Sequence, residues 1–191
     1  QKDSLLDFTE VMTMLGTATN MTADEAATAL ARFANITGTS ADNYDRLGSV
    51  IVALGNNFAT TESEITAMAT RLASAGTLAG LSESEILALS AAMSSVGIEA
   101  EAGGTAMTET MNAIETAVAQ GNETLTEFAR IAGMTSAEFA ATWESDAMSA
   151  LESFISGLGQ LDEQGELSST RCVHLGLTGV RQSNMLKGLA L

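Results

Sequence analysis

The chain contains no proline in 191 residues, where average usage is about 5%. Proline lacks the amide N–H and clashes with the preceding helical turn, so its absence removes the commonest helix breaker. Aromatic residues make up only 4% against 46% apolar overall, which predicts a core built from Leu, Ile, Met and Ala. Cysteine occurs once, at Cys172, so an internal disulfide framework is excluded. Basic residues number 8 against 24 acidic ones, for a formal charge of −16, and no basic run exists. Nucleic-acid binding depends on Lys and Arg displacing phosphate counterions, so this balance argues against direct contact with DNA or RNA. Long apolar runs are missing too. The longest charge-free stretch, Leu47 to Thr61, contains Asn56 and Asn57 and falls short of the roughly 20 apolar residues a membrane span needs. The chain opens Gln1-Lys2-Asp3, with neither an initiator Met nor a signal-peptide pattern, and reads as a piece of something longer.

What is present is helix punctuation. Thr22…Glu25, Thr61…Glu64, Ser82…Glu85 and Thr135…Glu138 each place a hydroxyl three residues before a Glu. That is the capping-box spacing, in which the hydroxyl accepts from the N3 amide and the Glu reaches back to the N-cap amide. Leu81/Ile86 and Met134/Phe139 flank two of these caps at hydrophobic-staple spacing; Met21/Ala26 is a weaker third. Gly38, Gly76, Gly97, Gly121 and Gly133 follow helical runs and read as C-terminal stops, where left-handed backbone favours glycine.

Between these marks the apolar period is helical. The stripes are Ile65-Met68-Ala69-Leu72-Ala73, Ile86-Leu89-Met93-Val96, Met107-Met111-Ile114-Val118 and Met148-Leu151-Ile155-Leu158. All four read as core packing. The pattern predicts helices near 4–18, 23–37, 41–57, 62–75, 83–96, 104–120, 123–132, 136–143, 145–160 and 178–190. Val50-Ile51-Val52, the one β-like patch, falls inside a helical frame. The fold class is therefore all-α, a multi-helix bundle of about eight to ten short capped helices without a sheet. Two lobes are expected, 1–100 and 101–191, with an acidic mobile loop from Leu161 to Ser169.

The chemistry-bearing residues are sparse. His174 is the only histidine and stands two positions from Cys172. On a helix that spacing points the two side chains apart, so a Cys–His dyad is not expected, and a structural zinc site wants four ligands. Glu83/Glu85, Glu99/Glu101 and Asp162/Glu163 read as solvated acidic faces. Gly103-Gly104-Thr105 lacks the Gly-Lys-Ser/Thr ending of a P-loop. Asn122-Glu123-Thr124 fits a glycosylation sequon but has no secretory context. No catalytic, cofactor-binding or metal-binding residue is assigned. Gly103 and Gly104 read first as an interhelical joint, and second as a place where another backbone, in this chain or a second copy, comes close. Met107, Met111, Ile114 and Val118, just beyond them, form a candidate self-association stripe.

Ala53 to Ile65 (ALGNNFATTESEI) and Leu89 to Met107 (LSAAMSSVGIEAEAGGTAM) resemble the core region of phage tail tape measure proteins of the lactococcal-phage type. Phe33 to Gly38 and Leu177 to Gln182 fit the same pattern. The resemblance covers nearly the whole chain and departs from the family at Ser168 to His174, where an acidic and apolar helix is usual. It implies a multicopy structural protein of a phage or prophage, made in the bacterial host cytoplasm and housed in the lumen of the tail tube. There it would set tail length, and it would leave ahead of the genome at infection. The implied partners are other copies of itself, tail tube proteins and tail assembly chaperones, with membrane contact only during ejection. The resemblance implies neither catalytic residues nor a cofactor.

Two other classes compete. A membrane-active segment aiding genome delivery would use amphipathic helices, but interfacial helices are usually Lys/Arg-rich on their polar face, and these are acidic. Dye leakage from vesicles separates that reading from a structural one. An unrelated helical scaffold or adaptor is the third, and neighbouring tail genes separate it from the first.

Overall fold

The computed structural model describes residues 2–163 together with residues 185, 186, 188 and 189. Among these, 83% are helical and none is in a strand. The helices are α1 (Lys2–Ala18), α2 (Ala23–Thr37), α3 (Tyr44–Asn57), α4 (Glu62–Leu78), α5 (Glu83–Ser95), α6 (Ala100–Gln120), α7 (Glu123–Ile131), α8 (Ser136–Ser145) and α9 (Ala147–Glu163), with a 3₁₀ turn at Ala41–Asn43 before α3. No helix of the described residues is long and apolar enough to cross a membrane.

The predicted starts follow from their caps. Thr22 Oγ1 accepts from Glu25 N at 3.3 Å, and Glu25 Oε2 accepts from Thr22 N at 2.8 Å. The same reciprocal pair closes at Thr61/Glu64, Ser82/Glu85 and Thr135/Glu138. Two further caps went unread in the sequence. Asn122 accepts from Leu125 N at 3.3 Å and opens α7. Asp146 accepts from Ser149 N at 3.0 Å and from Ser149 Oγ at 2.8 Å, which divides α8 from α9.

Of the expected glycine stops, Gly38, Gly97, Gly121 and Gly133 take positive φ; Gly76 does not. It is buried inside α4, which runs on to Leu78, and Gly80 takes the left-handed turn at φ 84°. A mid-helix glycine costs about 1 kcal/mol against Ala, which the buried face around Ala75 and Gly76 outweighs. Gly103 and Gly104 likewise lie inside α6 rather than at a joint.

The chain forms two compact units: Gln1–Thr77 with Ser82–Gly104, and Leu78–Leu81 with Thr105–Leu191. In the first, α1 packs on α2 and α3, and α3 packs on α5. Ile65, Met68, Leu72, Ile86 and Met93 are fully buried there, as the stripes require, whereas Val96 at the end of its stripe is exposed. In the second, α7, α8 and α9 pack on one another. Its core departs from the Leu/Ile/Met/Ala expectation. Phe128 meets Phe154 edge-on with centroids 5.0 Å apart and stacks with Phe139 at 6.3 Å. Half of the six phenylalanines thus sit in one cluster, with Trp143 also buried. The α9 stripe is correspondingly rotated. Ala147, Ala150, Leu151, Phe154 and Leu158 are buried, while Met148 and Ile155 are half-buried.

Residues 185, 186, 188 and 189 are helical within the expected 178–190 helix, whose earlier part lies outside the described residues. Of the expected 161–169 loop, Leu161 to Glu163 belong to α9 and the rest lies outside the described residues.

Candidate interaction surfaces

Cys172 and His174 lie outside the described residues. Of the candidate self-association stripe, Met107, Met111 and Ile114 are fully buried within the chain itself, and Val118 is half-buried. The α6 helix that carries them is tied to α8 by a hydrogen bond from Trp143 Nε1 to Glu115 Oε2 at 2.7 Å.

The glycine pair ahead of the stripe is a close-approach site inside the first unit. A Cβ on Gly104 would lie 2.8 Å from Cβ and 3.1 Å from Cδ of Arg71. One on Gly103 would collide with Cγ2 of Ile98 and sit 3.3 Å from the methyls of Met68 and Met93. Gly104 thus provides the flat surface on which the aliphatic stem of Arg71 lies. Gly55 does the same for Glu62, whose buried side chain occupies the space a Cβ would take. Both residues belong to the Ala53–Ile65 motif.

Two grooves open on the first unit. One, of about 390 Å³, runs between α1 and α3 and is lined by Val11, Met14, Leu15, Ala18, Val52 and Ala53, with Asp45 and Ser49 also on its wall. It exists because Gly48 lets α3 lie on α1, with Leu15 Cδ1 3.2 Å from where its Cβ would be. Met14 is 63% exposed on its edge.

The other groove, of about 750 Å³, runs between α2 and α4. Asn20 fixes its register: its Nδ2 donates to Ser63 Oγ at 2.9 Å and its Oδ1 accepts from Ser63 N at 3.2 Å. The starts of α2 and α4 are therefore side by side. Both helices line the groove along their length, through Asp24, Thr28 and Arg32 on one wall and Ser63, Thr66 or Ala67, and Arg71 on the other. Arg32 and Arg71 thus both line this groove, one from each helix. Among the described residues neither guanidinium makes a hydrogen bond or ion pair; Arg130, by contrast, grips Glu127 at 2.6 Å.

This arginine pair escaped the sequence reading, although a signal for it exists. Arg32 stands ten residues after the capping Thr22, and Arg71 ten after the capping Thr61. Equal offsets from two equivalent helix starts mark the two arginines that line this one groove.

One family, described as phage-related minor tail protein, matches residues 1–170 of the chain. No curated protein and no solved structure matches it.

Proposed function

The chain belongs to the family of phage-related minor tail proteins, a structural component of the virion, and on that premise we propose that it is a segment of the tape measure that sets tail length. The observation that carries the reading is the family match over residues 1–170 on a chain whose described residues are 83% helical. The helices are short, 9 to 21 residues, and five glycines with positive φ divide them. Such a chain has two lengths open to it. Drawn into continuous helix at 1.5 Å per residue, 191 residues span about 290 Å. A compact unit of about 100 residues has a radius of gyration of about 13 Å, so two such units cover no more than about 70 Å. A ruler inside a tube uses the first length.

The tail tube lumen is the proposed location. Tube proteins, further copies of the chain and assembly chaperones are the proposed partners. The proposed role is non-enzymatic, with departure ahead of the genome at infection. The acidic charge of −16 supports a chain that shares a conduit with DNA without adhering to it.

In-frame deletion of residues 1–170 from the phage gene, with tail length read by electron microscopy, tests this. Tails shortened by well over 100 Å are expected. Tails of unchanged length would overturn the ruler reading. A loss of about 70 Å or less would mean that the units stay folded in the tail as a plug or docking domain.

A further inference from the structure

We propose that the α2–α4 groove is a docking site for a polypeptide segment of a partner protein that presents a carboxylate to Arg32 and Arg71 and a basic side chain to Asp24. The chain has eight basic residues against 24 acidic ones, and two of the eight line this single groove. Neither makes an ion pair or hydrogen bond among the described residues. Their placement is built rather than incidental. The Asn20–Ser63 bonds set the two helices in register, and Gly104 holds the stem of Arg71 against α6.

The groove is also bipolar. Asp24 and Ser63 stand eight residues before Arg32 and Arg71, which is about 12 Å along each helix. Guanidinium groups suit a carboxylate because their planar donors match its two oxygens.

The shape and charge of the groove select among ligands. A volume of about 750 Å³ far exceeds what one small anion fills. The carboxylates of Asp24 and Glu25, which both line the groove, repel a polyanion, as does the net charge of −16, so a nucleic-acid backbone does not fit. A segment bearing an acid and, about 12 Å on, a base satisfies both ends, while Met21, Ala29 and Ala67 supply an apolar floor.

The test is a titration of the full chain with a capped, alanine-rich 15-residue peptide carrying Glu and Lys seven positions apart, a rise of about 10 Å on one helical face. The Arg side-chain Nε–H signals are followed by NMR. The expected result is that the signals of Arg32 and Arg71 shift together, that replacing the peptide's Glu by Gln weakens binding about tenfold or more, and that added salt weakens it further. Arg32→Gln and Arg71→Gln should each reproduce that loss. Glutamine keeps Cβ, Cγ and Cδ, so the Arg71 stem contact with Gly104 survives, and unchanged helicity checks it. If either variant unfolds, the wild-type Glu-against-Gln comparison still decides. Three results would overturn the proposal: no shift with millimolar peptide; equal shifts from inorganic phosphate with no Glu-over-Gln preference, which would make this a bare anion site; or wild-type self-association abolished by Arg71→Gln, which would place a second copy in the groove.

Discussion

The indole Nε1 of Trp143 donates to Oε2 of Glu115 across 2.7 Å, joining α8 to α6. Trp143 is 3% exposed, so its N–H has little access to water. Glu115→Ala would leave that donor unpaired at a cost of about 1–3 kcal/mol. Glu115→Gln keeps a carbonyl acceptor and should retain most of the stability. Because Trp143 is the only tryptophan, its emission during urea unfolding gives both midpoints. Equal midpoints for the Ala variant and wild type would mean that the bond contributes nothing.

Glycine substitutions separate a packed helix from a joint. At a flexible joint, Gly→Ala in a helical frame stabilises by up to about 1 kcal/mol. The contacts reverse that sign. Gly104→Ala forces Cβ to within 2.8 Å of Arg71 Cβ, and overpacking of about 1–3 kcal/mol exceeds the propensity gain. Gly157→Ala is worse, because its Cβ would strike the backbone carbonyl oxygen of Ile131, which no rotamer change relieves; a loss of about 3 kcal/mol is expected. Thermal midpoints should therefore fall in the order wild type, Gly104→Ala, Gly157→Ala.

How much of this was legible follows from the range of the forces involved. Helix starts are set by side chains three residues apart, so Thr22/Glu25 or Ser82/Glu85 is readable from spacing alone. Asp146 and Asn122 use the same chemistry without a Glu at N3, where Ser149 and Leu125 stand, so the reciprocal spacing does not reveal their caps. Gly76 is a helix stop by local propensity but lies in a buried helix face, and burial depends on residues distant in sequence. The same holds for the Phe128–Phe139–Phe154 cluster. Each phenylalanine is an ordinary apolar position in its own helix, and only the packing of α7, α8 and α9 makes them one core. The α2–α4 groove needed the Asn20–Ser63 bonds, which join residues 43 apart, before two arginines with equal offsets from their caps came to line one groove.

The capping carboxylates predict a pH dependence of known sign. Glu25, Glu64 and Glu138 are held below their ordinary value of 4.5 by the hydrogen bonds each accepts from its N-cap threonine. Asp146 is held below 3.8, chiefly by the backbone amide of Ser149 and then by its hydroxyl. A depressed folded-state pKa stabilises fully above the unfolded value, and the contribution is lost as pH falls through the folded one. Protonation also relieves the repulsion of a −16 chain, which opposes the trend, so a simple melting curve mixes two signs. A variant carrying Glu25→Gln, Glu64→Gln, Glu138→Gln and Asp146→Asn isolates the caps. Its melting temperature should lie below that of wild type at pH 7, and the gap should close as pH drops below about 4.5. A gap that persists at pH 2.5 would mean that the carboxylate charge is not what these caps contribute.

Self-association through the α6 stripe remains a proposal, and the burial pattern dictates which substitution tests it. Met111 is 2% exposed within the single chain. Met111→Glu places a carboxylate in an apolar interior and should cost more than about 3 kcal/mol whether or not copies pair. A fall in oligomer mass for that variant would then report unfolding and say nothing about contact between copies. Val118, one turn beyond Ile114, is half-buried and can carry a charge by turning it to solvent. If copies meet along this edge of α6, Val118→Glu should lower the mass seen by light scattering while leaving the thermal midpoint within about 1 kcal/mol of wild type, as surface substitutions do. A wild-type chain that is monomeric at high concentration would end the proposal, as would a Val118→Glu variant of unchanged mass.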